Sequence, residues 1–186
     1  MTATLLMVRH TEVARHWKGR CYGASDVGLS RAGAAHARSL ASTIAAWCPD
    51  IVIHSNLRRT RILALQIAAI AKVEAIADAN WRERDFGDWE GKSWLAIYRS
   101  TGNAMDGMIT APDSFRPGGG ETTTELADRT LDAIARLTAR RVAVVTHGGP
   151  IAAAQGRSAG LPEHEWLALV PRYGETWERP MNDGFC

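Results

Sequence analysis

Two arginines, two histidines and one glutamate, far apart in the chain, are the residues best suited to chemistry. Arg9 and His10 follow the apolar run LLMV at 5–8, and Arg59 closes Ser55–Arg59 just after IVIH at 51–54. His147 follows the β-prone run Val142–Val145, and Glu83 lies in WRERDFGDWEGKSW. Each guanidinium presents a planar fork of donors that matches phosphate oxygens. An imidazole with an ordinary pKa of about 6.5 is largely neutral at pH 7, so one ring nitrogen can attack phosphorus. The set therefore fits phosphoryl transfer. His10, beside Arg9, is the expected nucleophile and would form a phosphohistidine. His147 is expected to donate a hydrogen bond to an equatorial oxygen. Glu83 would protonate the leaving alkoxide and then act as base towards water.

These groups converge only if several strands end at one edge. The unbroken apolar run at 5–8 reads as a buried parallel strand, IVIH as a second, and Val142–Val145 as a third. Ser30 can cap a helix with Ala37, Leu40, Ile44 and Trp47 on one face, and a second helix after Ser55 and Asn56 would bury Leu63, Ile67 and Ile70. A weaker strand is expected near Lys72–Ile76, a helix from Trp94, and another over Glu121–Ala139 with Ala127, Leu131, Ile134 and Leu137 inward. Trp166–Val170 reads as a last β-prone segment; the tail after Tyr173 has too little periodicity for an assignment. The alternation of strands and helices predicts one α/β domain over 1–186, a three-layer α/β/α sandwich around a mostly parallel sheet. The Gly- and Pro-containing stretch within 92–120 suits an irregular substrate-covering insertion.

The chain has 186 residues, 46% of them hydrophobic, and its 22 basic and 20 acidic residues give a net charge of +2. No global field points to nucleic acid or an anionic membrane, and a small phosphorylated molecule is the expected partner. The short apolar start predicts a cytoplasmic protein, and a homodimer is the one assembly we allow for. Cys21, Cys48 and Cys186 are few and widely spaced, which predicts reduced thiols. Neither Cys21 nor Cys48 opens a phosphate-cradling loop, and GDWEGKS at 87–93 is one residue short of a nucleotide-binding loop. No HExxH or close ligand cluster calls for a metal, and no cofactor is expected.

RHTE at Arg9–Glu12, SNLRRT at Ser55–Thr60, ERDFGDWEG at Glu83–Gly91 and THGGP at Thr146–Pro150 together resemble the histidine phosphatase superfamily, also called phosphoglycerate mutase-like. Within it, CYGASDVGLS at 21–30 and DFGDWEGKSW at 85–94 resemble the alpha-ribazole phosphatase branch of cobalamin biosynthesis. The resemblance implies a metal-independent phosphomonoesterase acting on alpha-ribazole 5′-phosphate; phosphatases of sugar phosphates or other small phosphoesters, and a silent phospho-ligand binder, are the alternatives. It makes His10 the phosphorylated residue, Glu83 the proton donor, and Arg9, Arg59 and His147 the phosphate pocket. Arg59 is preferred to Arg58 because the motif runs Ser, any residue, Leu, any residue, Arg. Arg58, His16, Cys21 and Tyr22 stand as candidate substrate contacts, and Trp17, Trp89 and Trp94 as stacking or packing surfaces. The chain departs from the common pattern at Thr11, His16, Asn56 and Leu63.

Overall fold

Side chains alternate between the two faces of a strand, so a run that is apolar throughout needs a covering layer on each side. The computed structural model, which describes residues 3–181, supplies both layers. In chain order its elements are β1 (Thr4–Arg9), α1 (Arg31–Ala46), β2 (Ile51–His54), α2 (Arg58–Ala71), β3 (Ala75–Ala77), α3 (Trp94–Thr101), α4 (Gly107–Thr110), α5 (Thr123–Ala135), β4 (Arg141–Thr146), α6 (Gly148–Ser158) and β5 (Thr176–Pro180). The strands form one sheet in the order β3-β2-β4-β1-β5. All pairings are parallel except that of β5 with β1. Leu6 and Val8 pack with Ala37, Ile44, Leu63 and Ile67 from α1 and α2. Leu5 and Met7 face the other way, onto Trp81, Ile134 of α5 and Ile151 of α6. The three-layer α/β/α sandwich follows from this double burial.

Several boundaries differ from expectation for identifiable reasons. Ile70 is 51% exposed, because α2 turns Ala64 and Ala68 inward alongside Leu63 and Ile67. The helix expected over Glu121–Ala139 begins at Thr123, after a capping box in which the Thr122 hydroxyl accepts from the Glu125 amide and the Glu125 carboxylate accepts from the Thr122 amide. Trp166–Val170 is not a strand. Glu163–Leu169 coils into a 3-10 helix, its Trp166 indole N–H donating to the Leu161 carbonyl. The ring lies against Gly156 of α6, where an added Cβ would come within 2.1 Å of it. The edge of the sheet is instead taken by the polar stretch TWERP of β5, whose alternation is masked by exposure. Helix α6 carries no clear helix signal in the sequence. Its opening GGP looks like a turn, yet Pro is tolerated in a first helical turn, where backbone N–H groups have no intrahelical acceptor. Cys186 lies outside the described residues.

The segment after β1 is clamped to the start of α1. Ser30 caps the helix by accepting from the Gly33 amide at 2.8 Å, and the Thr11 hydroxyl donates to the Gly33 carbonyl at 2.8 Å. A Cβ on Gly33 would come within 2.0 Å of the Glu12 carbonyl oxygen. Gly33→Ala should therefore cost about 2 kcal/mol or more of stability through overpacking, measured by urea unfolding. A loss under about 0.5 kcal/mol would show that α1 can withdraw freely from the strand end.

Candidate active site

The register levels three strand ends: Arg9 pairs with Thr146 and His54 with Val145. His10, Ser55 and His147 therefore leave the sheet together at its carboxyl edge, where ligands bind in open α/β sheets. All three are buried.

His10 Nδ1 lies 2.8 Å from the Thr11 carbonyl oxygen. A carbonyl can only accept, so Nδ1 carries the proton and Nε2 keeps its lone pair. Burial, and then the Arg59 charge, hold the imidazole pKa well below its ordinary value against the opposing Thr11 bond. The ring is thus a neutral base with a defined tautomer.

His147 has the opposite tautomer. Arg59 Nε donates to His147 Nδ1 at 3.2 Å, so the ring proton sits on Nε2, 2.7 Å from Ser55 Oγ. Ser55 Oγ is 2.9 Å from Thr60 Oγ1, which donates to the Leu57 carbonyl at 2.8 Å. Both ring nitrogens of His147 are committed, to Arg59 and Ser55, and it stands behind Arg59 rather than holding an N–H toward the cavity. Burial, with Arg59 next, pushes its pKa well down. Ser55, expected to introduce α2, serves this relay instead. The Asp26 carboxylate accepts from the Arg58 amide at 2.6 Å and takes over the capping.

Arg59 is fully buried. Its Nη1 and Nη2 donate to the carbonyls of Ser25 and Gly23, each at 2.6 Å. A guanidinium has five N–H groups, so donors remain after these bonds and the one to His147. Burial lowers the Arg59 pKa, with the nearby Glu83 carboxylate opposing. Arg9 donates from Nη1 to the Pro171 carbonyl at 2.5 Å, and its Cζ sits 4.5 Å from the Tyr173 ring centroid. Its Nε is buried with no hydrogen-bond partner among the described residues. The Tyr173 hydroxyl meets that of Tyr22 at 2.6 Å, bracing both arginines.

Glu83 faces the same space from the loop after β3. Its carboxylate accepts from the Arg84 amide at 3.0 Å and from the Gly149 amide at 3.1 Å. Gly149 lies in the first turn of α6, where a free N–H and the helix dipole favour an anion. A Cβ there would come within 2.2 Å of Glu83 Oε1, so a larger residue would push the carboxylate off the Gly149 amide. Arg129 of α5 holds the loop from behind, donating to the carbonyls of Asn80 and Arg82 at 2.7 and 2.8 Å and to Glu83 O at 3.2 Å, while pairing with Glu121. Nothing in sequence flags Arg129 beyond its place in a helix among buried Leu126 and Thr130.

Arg9, His10, Arg59, Glu83 and Tyr22 line one cavity of about 450 Å³. Besides His147, three other candidates do not reach it. Cys21 packs with Trp89 and Ile97, and burial pushes its thiol up to about 12. His16 lies exposed on a 3-10 turn with its ring near Trp17. Arg58 is exposed, its guanidinium beside Gly28. From the predicted cover, Trp94, Met105, Asp106, Met108 and Ile109 do line the cavity. Among the described residues no group of three or more His, Cys, Asp or Glu is placed to hold a metal ion.

Residues 5–176 match the family model of the histidine phosphatase superfamily (branch 1). The chain belongs to that family and is an enzyme of phosphoric monoester hydrolysis. It is 29% identical to glucosyl-3-phosphoglycerate phosphatase of Mycolicibacterium vanbaalenii over 93% of this chain and 81% of that protein. It is 31% identical to a metal-independent phosphoserine phosphatase of Arabidopsis thaliana, over 93% and 78%. The solved native structure of a mycobacterial glucosyl-3-phosphoglycerate phosphatase superposes with a TM-score of 0.85 at 26% identity, covering 96% of this chain and 90% of that one.

The two neutral histidines make stability depend on pH. Unfolded, each binds a proton below about pH 6.5; folded, neither does until far lower pH, so stability is lost as pH falls below about 6.5. The slope is up to about 1.4 kcal/mol per pH unit per histidine. Urea unfolding between about pH 7 and about pH 5 should show this loss, and His147→Gln should remove roughly one histidine's share. A slope unchanged by His147→Gln would mean that His147 is not held neutral.

Proposed function

We propose that the chain hydrolyses small phosphomonoesters without a metal, through a phosphohistidine on His10 Nε2. The observation that carries this reading is the tautomer of His10: Nδ1–H donates to the Thr11 carbonyl, leaving a buried neutral Nε2 that shares one cavity with Arg9, Arg59 and Glu83. The unused donors of Arg59 and the unpartnered Nε of Arg9 neutralise charge on the phosphoryl oxygens, and His147 orients Arg59 through its Nδ1. Nε2 attacks phosphorus; the P–O bond to the alcohol breaks and the leaving oxygen takes the Glu83 proton. Water then attacks the phosphohistidine, gives a proton back to Glu83, and releases inorganic phosphate and free His10. The segment around 92–120 covers the substrate, and Tyr22 braces the arginines at its rim.

The similarity to a sugar-phosphate phosphatase and a phosphoserine phosphatase supports a sugar phosphate or another small phosphoester over alpha-ribazole 5′-phosphate. The motifs at 21–30 and 85–94 resemble the branch that acts on that narrower substrate. In this structure Cys21 and Trp89 from those stretches serve a packing cluster instead.

His10→Ala should lower turnover by about a thousandfold or more while leaving circular dichroism and Tm near wild type. A folded variant with unchanged turnover would end the nucleophile assignment. Glu83→Gln should slow alkyl phosphates about tenfold more than aryl phosphates, whose leaving groups need no proton. Equal losses on both would count against the acid role.

A further inference from the structure

A carboxylate held away from water without a cation must satisfy its oxygens on neutral donors. Glu90, the last acidic residue of ERDFGDWEG, does so with the two loops that flank the phosphate pocket. Its Oε1 accepts from the Ala24 amide at 2.9 Å and from the Phe86 amide at 3.2 Å. Its Oε2 accepts from the Ser25 amide at 3.1 Å and from the Ser25 hydroxyl. Among the described residues no lysine or arginine forms an ion pair with it. Its backbone is fixed on both sides: the Glu90 amide donates to the Gly87 carbonyl at 3.0 Å, and the Trp89 ring packs with Cys21 and Ile97.

The same loop meets Arg59 with its carbonyls. Arg59 Nη2 donates to the Gly23 carbonyl, and the N–H of that same peptide unit is the Ala24 amide bound by Glu90. One planar peptide thus lies between a cation and an anion that polarise it in the same sense, so each hydrogen bond strengthens the other. Ser25 repeats the bridge, with its amide and hydroxyl on Glu90 and its carbonyl on Arg59 Nη1. Burial lowers the Arg59 pKa; Glu83 foremost, and also Glu90, act against that fall. Glu90 itself does not line the cavity. We infer that Glu90 is a positioning residue for phosphoryl transfer: its charge, relayed through the Gly23–Ala24 peptide and Ser25, holds the Arg59 guanidinium in place for the transferring group. This inference rests on the phosphoester reading of the site. A residue that only fastened the loop would matter equally whatever stood at position 59; one that acts through Arg59 would not.

The test is a double-mutant cycle on the full chain, read by kcat/KM for an aryl phosphate and by calorimetric binding of orthovanadate, which needs no turnover. Glu90→Gln keeps the shape and removes the charge, and should lower both readouts about tenfold. Glu90→Asp keeps the charge on a shorter arm and should lose only about threefold. With Arg59→Met already in place, either change at position 90 should alter the readouts by less than about twofold. An equal loss in both backgrounds, a Gln variant as good as the Asp variant, or no loss at all would overturn the inference. Where circular dichroism shows that Glu90→Gln does not fold, Glu90→Asp decides alone: its loss must appear beside Arg59 and vanish with Arg59→Met, and any other result overturns the inference. Coupling in vanadate binding with no ester hydrolysed would support the inference and defeat the phosphatase reading, whereas hydrolysis without coupling would do the reverse.

Discussion

The buried guanidinium of Arg59 is the constraint around which the site is built. Taking an unpaired cation out of water costs several kcal/mol, so its donors must find acceptors. Two go to the Gly23 and Ser25 carbonyls and one to His147 Nδ1, and Glu83 lies close enough to act on its charge. Each bond fixes something else. The loop after β1 is drawn over the sheet edge, and its Gly23 is so close to the Arg84 carbonyl that an added Cβ would come within 1.9 Å. The tautomer of His147 is set, and through it the hydroxyl relay of Ser55 and Thr60. Burial first, and then the Arg59 charge, keep His10 neutral. One charge thus organises nucleophile, phosphate donors and loop together.

A second device holds the proton-transfer group. Helix α6 begins immediately after His147, so the strand end that supplies the buried imidazole also supplies the Gly149 amide that receives Glu83. Arg129 fixes the same loop from α5 through backbone carbonyls, which fixes the chain at Glu83 without touching its carboxylate. The carboxyl group is left facing the cavity, opposite the arginines.

Sequence revealed the parts whose signal is local. The apolar strands and the helix at Arg31–Ala46 follow from periodicity and a serine cap, and Arg9, His10, Arg59 and Glu83 stand out by type at strand ends or in a distinctive motif. What it hid depends on partners distant in the chain. Cys21 and Tyr22 are adjacent, yet one packs into a small cluster while the other faces the cavity, a difference decided by the packing of Trp89 and Ile97. His147 was legible as a site histidine, but its two bonds depend on Arg59 and Ser55, 88 and 92 residues away. Arg129 and β5 carry no local mark, since a helical arginine and a polar edge segment look like surface. The apolar part of the cavity lining, Met105, Met108 and Ile109 with Leu126 and with Trp166 and Leu167, comes from three separate segments and leaves no motif.

The central claim is that the phosphoryl group passes through Nε2 of His10. It is tested most directly by mixing Glu83→Gln protein, in which dephosphorylation is slowed, with an aryl phosphate, denaturing in alkali where a phosphohistidine survives, and mapping the modified residue by mass spectrometry and phosphorus NMR. The account predicts one phosphoryl group per chain, on His10 and bonded at Nε2. A phosphoryl group on His147 or a cysteine, or continued turnover with no phosphorylated histidine trapped, would contradict it.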